Sequence, residues 1–163
     1  MKQTRKTFLK VLGASTMIAA FNPTKASQMA AAAPKTDLNL GIASYTLRKF
    51  NLDETISMVK GLNLKSIAFK SMHMPLESSE AELKAIAKKV KDAGLNLYGA
   101  GVIYMKTEDE VNQAFKYAQA AGIKVIIGVP VPEVLALAET RVKETGIRVA
   151  IHNHGPEDDV YPS

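Results

Sequence analysis

The chain has 163 residues, of which 47% are hydrophobic and 23% charged, and its mean hydropathy is close to zero. This composition is typical of one globular domain and excludes a disordered or fibrous protein. The sequence contains no cysteine, which excludes a disulfide scaffold, a thiolate metal site and a cysteine nucleophile. Histidines, carboxylates and backbone groups must therefore provide any chemistry.

The net charge of +5 is concentrated at the N-terminus. Residues 1–33 contain five basic residues and no acidic one, which leaves 16 basic and 16 acidic residues in the rest of the chain. Binding to a phosphate backbone requires a concentrated basic face. Because the body of the chain is neutral, we expect no nucleic-acid partner.

The same N-terminal segment has the three-part layout of an export signal. The basic stretch Thr4–Lys10 precedes the apolar run Val11–Phe21, and the alanines Ala30–Ala33 follow. The basic stretch resembles a twin-arginine signal in which Lys6 replaces the second arginine. The apolar run is shorter than the ~20 residues that span a bilayer. We therefore expect a cleaved signal peptide at residues 1–33, a mature domain at 34–163 that is periplasmic or secreted, and no stable membrane anchor.

Five short apolar runs, which we predict to be strands, alternate with longer segments of helical period. The predicted strands are Leu38–Tyr45, Leu64–Phe69, Leu95–Ile103, Ile123–Val129 and Ile147–Asn153. A glycine precedes each of the last four strands, Gly61 at a slight distance and Gly94, Gly122 and Gly146 directly, and the last three indicate helix ends. Each of the first three helices has an N-cap residue three positions before a carboxylate: Asn51 and Glu54, Ser79 and Glu82, Thr107 and Glu110. Pro132 favours the start of the fourth helix.

This alternation predicts an α/β fold of parallel (β/α) repeats. Two architectures fit the order of elements. The chain could contain the first five strands of a TIM (β/α)8 barrel, which typically needs ~250 residues, or an open five-stranded flavodoxin-like sheet. Composition and period do not distinguish the two.

The densest polar cluster follows the last predicted strand and contains His152, Asn153 and His154. In both architectures ligands bind at the carboxyl ends of parallel strands. Because side chains alternate along a strand, His152 and His154 should point to the same side, where two imidazoles could bind one metal ion. The alternative is a polar strand exit followed by a solvated acidic turn.

Further polar side chains follow the first two strands. Lys70 and His73 come directly after strand two, and Tyr45 and Arg48 come after strand one. A cationic and a hydrogen-bonding side chain at this edge suit a hydroxylated or anionic ligand. We predict that Tyr45, Lys70 and His73 contact the same ligand as Asn153, although an ordinary solvated lysine would also explain Lys70.

Three segments resemble the sugar phosphate isomerase/epimerase family, the xylose isomerase-like TIM barrels. They are Gly41–Arg48 (GIASYTLR), Ile126–Pro130 (IIGVP) and Val149–Pro156 (VAIHNHGP). The resemblance covers about residues 38 to 163. It implies a barrel with a divalent ion (Mn, Mg, Co or Zn) at its carboxyl end, acting on a sugar or sugar derivative by proton transfer next to a carbonyl.

Under this resemblance His152 matches the position of the first metal ligand, and His154 is a second ligand or a substrate contact. The catalytic acid and base are not assigned, because the family's later strands have no counterpart before Ser163. We therefore expect the chain to be the N-terminal portion of such an enzyme, inactive alone and able to form a homo-oligomer through its open sheet edges. The alternatives are a related keto-sugar lyase or hydratase, and a non-catalytic α/β module that binds a small ligand.

Overall fold

A computed structural model describes residues 38–162. The predicted signal peptide lies outside these residues, so cleavage and export stay predictions. No helix within the described range combines the length and apolar character that a membrane span requires.

Strands and helices alternate throughout the described range. The strands are β1 Gly41–Ala43, β2 Ser66–Phe69, β3 Asn96–Met105, β4 Val125–Pro130 and β5 Arg148–Ile151. The α-helices are α1 Leu52–Gly61, α2 Glu80–Asp92, α3 Glu108–Ala121 and α4 Leu135–Thr145. Short 3-10 helices at Ser44–Leu47 and Pro132–Val134 follow β1 and β4. All five predicted strands are present, and β1 is shorter than predicted because the chain turns into the 3-10 helix at Ser44.

The first three helices begin at the predicted capping boxes. In α1 the Asn51 side chain accepts a hydrogen bond from the Glu54 backbone N–H at 3.0 Å, and the Glu54 carboxylate accepts one from the Asn51 backbone N–H at 2.9 Å. Ser79 and Thr107 form the same reciprocal pairs at the starts of α2 and α3. Each pair gives partners to backbone donors that the first helical turn leaves free.

The three predicted glycine helix ends are confirmed. Gly94, Gly122 and Gly146 have φ angles of 78°, 66° and 68°. At the end of α1 the left-handed residue is Asn63, with φ 56°, and Gly61 is the last residue of the helix. Asparagine can end a helix in this way because its short side chain tolerates the left-handed region.

The sheet order decides between the two predicted architectures. The five strands pair in parallel in the order β1-β2-β3-β4-β5. A flavodoxin-like sheet has β1 between β2 and β3, so that alternative is wrong. Crossovers between neighbouring parallel strands are right-handed as a rule, which places consecutive helices on one face of the sheet, as in the first strands of a TIM barrel. The sheet is open, with β1 and β5 at its edges.

The helix-covered face of the sheet contains the hydrophobic core. Its largest fully buried side chains include Ile67, Phe69, Phe115 and Ile126. Small residues dominate the other face, where the register aligns Ala43, Ala68, Gly99 and Val125 across β1 to β4. This face corresponds to the interior of a barrel, where small residues let neighbouring strands approach closely.

We expect Gly99→Ala to destabilise the sheet, because a Cβ at this position would lie 2.8 Å from the backbone oxygen of Val125. The strand must shift to relieve this contact, at a cost of about 1–3 kcal/mol. Gly61→Ala is the matched control, since a Cβ there meets no atom within 4 Å and alanine favours a helix. Urea unfolding of both variants tests this prediction, and equal midpoints would contradict it.

Tyr117 should make stability fall at alkaline pH. Its hydroxyl is buried and donates a hydrogen bond to the Met74 carbonyl oxygen at 2.9 Å. Burial raises the pKa of Tyr117, and the negative charge of Glu77 raises it further. Above about pH 10 an unfolded tyrosine loses its proton whereas Tyr117 keeps it, so the free energy of unfolding should fall by up to about 1.4 kcal/mol per pH unit. Tyr117→Phe should lose this part of the pH dependence, and the exposed Tyr104→Phe should retain it.

Candidate functional site

Candidate site residues follow three strands at the carboxyl end of the sheet. Tyr45 lies in the 3-10 helix after β1, Lys70 directly follows β2, and His152 and His154 follow β5. All strands run in the same direction, so these positions share one edge. Loops that are distant in sequence thus place candidate site residues at one end of the sheet.

The two histidine side chains after β5 lie against each other. The backbone N–H of His152 donates to the Gly128 carbonyl oxygen at 3.0 Å, which extends the pairing of β5 with β4 by one residue. The two imidazole centroids are 4.5 Å apart, with ring planes at 83°. The two rings are thus adjacent, although His154 lies beyond the paired residues of β5. Asn153 is exposed between them.

The loop after β5 holds the His154 ring in place. Its Nδ1 donates a hydrogen bond to the Asp158 carboxylate. The other Asp158 oxygen accepts from the backbone N–H groups of Val160 and Tyr161, both at 2.8 Å. The Tyr161 hydroxyl donates to the Pro130 carbonyl oxygen at 2.7 Å, which ties the loop to the end of β4. Asp158 was absent from the predicted site, since nothing in the run of three acidic residues at 157–159 indicates which one faces inward.

The protonation states around the histidine pair follow from this arrangement. Burial lowers the pKa of His152, and repulsion by the protonated form of His154 and by Lys70 lowers it further, against a smaller opposite effect of Asp158. Hydrogen bonds from the Tyr161 and Val160 backbone lower the pKa of Asp158. At neutral pH the site therefore combines a neutral His152 imidazole with an ionised carboxylate.

An exposed aromatic ring with two cations lies at the same end of the sheet, in the loops that follow β1 and β2. Tyr45 has 51% of its surface exposed. The Arg48 guanidinium carbon lies 4.7 Å from the ring centroid, and the Lys70 ammonium nitrogen lies 5.2 Å from it. Both distances are within the range of cation–π attraction. Lys70 is thus close to Tyr45 and also near enough to His152 to affect its pKa.

His73 lies beneath these loops and does not face the site. Only 3% of its surface is exposed. Its Nε2 lies 2.9 Å from the Phe50 carbonyl oxygen and 3.0 Å from the Thr55 hydroxyl, while its Nδ1 lies 3.0 Å from the Ser44 hydroxyl. The prediction that His73 faces a common pocket with Lys70 is therefore wrong. Its imidazole instead forms hydrogen bonds to the Phe50 carbonyl and to the Ser44 and Thr55 hydroxyl groups. Buried polar groups of this kind require hydrogen-bond partners.

These contacts determine the tautomer of a neutral His73. A carbonyl oxygen can only accept, so Nε2 must bear the proton and donate to Phe50. Nδ1 then accepts from the Ser44 hydroxyl, whose oxygen accepts the Lys70 backbone N–H at 2.9 Å. His73 thereby connects the loop that contains Tyr45 with the residue that begins the next loop, Lys70. These hydrogen bonds of His73 position the loops after β1 and β2 relative to each other.

The donor set at the carboxyl edge fits part of a divalent-metal site. The bond to Asp158 occupies Nδ1 of His154 and leaves Nε2 as a free electron-pair donor, an arrangement common for metal-binding histidines. The neutral His152 ring makes no hydrogen bond to any other residue between 38 and 162. Within the same range no group of three or more histidine or carboxylate ligands occurs. The pair would thus supply two ligands, and water, substrate or other groups would complete the shell.

Solved structures share this fold. An uncharacterized protein from Parabacteroides distasonis ATCC 8503 matches with a TM-score of 0.64 and 22% identity, over 70% of this chain and 52% of that one. A xylose isomerase domain containing protein from Salmonella typhimurium LT2 matches with a TM-score of 0.57 and 16% identity, over 76% and 52%. A xylose isomerase domain protein from Planctomyces limnophilus matches with a TM-score of 0.52 and 14% identity, over 74% and 55%.

These similarities show the fold and extend no further, because the identities are low. The chain spans about half the length of the solved structures it matches. No protein-family model and no curated protein matches the sequence. The α/β fold thus corresponds to part of the xylose isomerase-like domains, whereas the roles of individual residues rest on the geometry of the site.

Proposed function

We propose that this chain contributes the β1 to β5 part of the ligand site of a metal-dependent sugar isomerase or epimerase-like protein. The observation that supports this most strongly is the pair of adjacent imidazoles after β5, one oriented by Asp158, with Lys70 and Tyr45 at the same end of the sheet. An exposed aromatic ring, a cation and two imidazole donors at one edge suit a hydroxylated ligand bound beside a divalent ion. The xylose isomerase-like fold supports the same proposal.

Each residue has a distinct role in this proposal. His152 and His154 would hold the ion, which when bound polarises a sugar carbonyl and stabilises negative charge on its oxygen. The Tyr45 ring gives the C–H face of a sugar an apolar surface, and Lys70 donates hydrogen bonds to its oxygens. Asn153 is exposed and can donate to or accept from a hydroxyl group. The general acid and base are not assigned to a residue of this chain.

Manganese can test the position of the metal site directly, because this paramagnetic ion broadens the NMR signals of nearby nuclei. When Mn²⁺ is added to the 163-residue chain, the amide signals of residues 152–154 and of Lys70 should disappear first. The signals of Lys65 and Lys124, which lie at the start of β2 and β4, should persist. Broadening that begins elsewhere, or none at all, would contradict the proposal.

Export belongs to the same proposal, since the predicted signal peptide would deliver the domain to the periplasm or the medium. Mass spectrometry of protein recovered from its host should then find a mature start near Ala33 or Pro34. Recovery of the intact N-terminus from the cytoplasm would contradict export.

A further inference from the structure

Two cations at the carboxyl edge share one aromatic neighbour. The Arg48 guanidinium and the Lys70 ammonium group both lie within about 5 Å of the Tyr45 ring centroid. Arg48 also donates a hydrogen bond from its side chain to the Tyr45 carbonyl oxygen at 3.3 Å. The three side chains thus form one cluster across the loops that follow β1 and β2, which we call the Tyr45 cluster.

The positive charge of the Tyr45 cluster has no carboxylate partner among residues 38–162. The ion pairs within this range involve Lys84, Lys88, Lys89, Arg141, Lys143 and His154, and neither Arg48 nor Lys70. Asp158, the carboxylate of the histidine site, is already bound by His154 and two backbone N–H groups. An anion bound to both groups would offset the repulsion between their like charges.

The loops that bear these side chains are held by buried hydrogen bonds. Ser44, which precedes Tyr45, accepts the Lys70 backbone N–H at 2.9 Å and contacts the buried His73 ring. The backbone N–H groups of His73 and Met74 both donate to the Lys70 carbonyl oxygen, at 3.0 and 3.1 Å. The backbones of Tyr45 and Lys70 are therefore fixed relative to each other before any ligand binds, which lowers the entropic cost of binding.

We infer that the Tyr45 cluster is a subsite for the anionic group of an acidic sugar, with Arg48 and Lys70 binding a carboxylate or phosphate and Tyr45 contacting the sugar ring. A guanidinium group can bind either anion through two parallel hydrogen bonds, and an ammonium group adds a third donor. The inference rests on the proposed function and narrows its substrate class to anionic sugars.

Binding of three sugars to the metal-free, full-length chain tests this inference. Glucuronate bears a carboxylate, glucose 6-phosphate bears a phosphate, and glucose is neutral. Calorimetric titration should show at least one of the two anions binding about tenfold or more tighter than glucose, the increment expected from charged hydrogen bonds. The tighter anion identifies the chemical source of the negative charge. The preference should decrease when salt is raised from about 20 to about 300 mM.

Charge-removing variants identify the residues responsible. Arg48→Gln and Lys70→Gln should each reduce the preference for the anion about five- to tenfold. Lys49→Gln is the matched control, because Lys49 is an exposed neighbour in the same turn and its replacement removes the same charge. Equal binding of glucose and both anions, no binding of any of the three, or an effect of Lys49→Gln as large as that of Lys70→Gln would overturn the inference.

The proposed metal site and the anionic subsite can be contradicted independently of each other. Manganese broadening at residues 152–154 without a preference for anions would leave the metal site and overturn the anionic subsite. A preference for anions that depends on Arg48, without manganese broadening at the histidines, would support the subsite and contradict the metal-dependent function.

Discussion

His73→Leu should lower the free energy of unfolding by about 3 kcal/mol or more. The change removes the partner of the Phe50 carbonyl oxygen and one partner each of the Ser44 and Thr55 hydroxyl groups. Ser44 and Thr55 have no exposed surface, and each buried polar group that loses its partner costs about 1–3 kcal/mol. Urea unfolding followed by circular dichroism measures this loss.

Two further variants distinguish a buried network from a general effect of losing a histidine. His73→Gln keeps a polar amide that can still donate toward Phe50, so its loss of stability should be smaller than that of His73→Leu. His154→Leu removes a histidine whose side chain is 39% exposed, and an exposed pair contributes at most about 1 kcal/mol. If His154→Leu were as destabilising as His73→Leu, this would contradict a specific contribution of the buried His73 hydrogen bonds to stability.

Loss of His73 should also release the loops that form the site. The Lys70 backbone N–H donates to Ser44, whose hydroxyl contacts the His73 ring. We expect the Lys70 amide to exchange with solvent faster in His73→Leu than in the wild-type chain, because local opening of this loop costs less. Amides in the middle of α3 provide the internal reference.

His152→Ala should weaken zinc binding about 100-fold. Replacement of a residue that only orients a metal ligand typically costs 10- to 100-fold in affinity, and loss of one of two protein ligands should reach the upper end of this range. Asp158→Ala should cost about tenfold, since Asp158 orients the His154 ring and does not itself bind the ion in this proposal. Calorimetric titration with Zn²⁺ measures both.

Asn153→Ala is the matched control for the zinc experiment. Asn153 lies between the two histidines and is exposed, so its replacement alters the same loop without removing an imidazole. Its zinc affinity should equal that of the wild-type chain. Equal losses in Asn153→Ala and His152→Ala would indicate a general disturbance of the loop and contradict a ligand role for His152.

Local features of the fold were predictable because they depend on residues close together in sequence. A capping box needs only two side chains three positions apart, and the pairs at Asn51, Ser79 and Thr107 all form as predicted. The end of α1 was not predictable in the same way. Both Gly61 and Asn63 can adopt a left-handed conformation, and where the helix stops depends on the packing of the following segment.

The candidate site also has features that were predictable from nearby residues and features that were not. Alternation along a strand requires no tertiary information, and it predicts that His152 and His154 lie on one side. Both residues follow the end of β5, and their rings are in contact. The role of His73 could not be predicted, because its partners Ser44 and Thr55 are 29 and 18 residues away in sequence. A histidine after a strand is equally compatible with an exposed ligand contact and with a buried hydrogen-bonding role.

The sequence by itself thus determined the alternation of strands and helices and the residues at which the first three helices begin. It also showed which strands are followed by polar residues. These features depend on side-chain period and short-range hydrogen bonds. Only the tertiary structure decided the sheet order β1-β2-β3-β4-β5, the inward position of His73 and the choice of Asp158 as the partner of His154. The physical reason is that strand pairing and buried hydrogen bonds join groups far apart in the chain. Their geometry exists only when the helices have packed on one face of the sheet and brought the loops together.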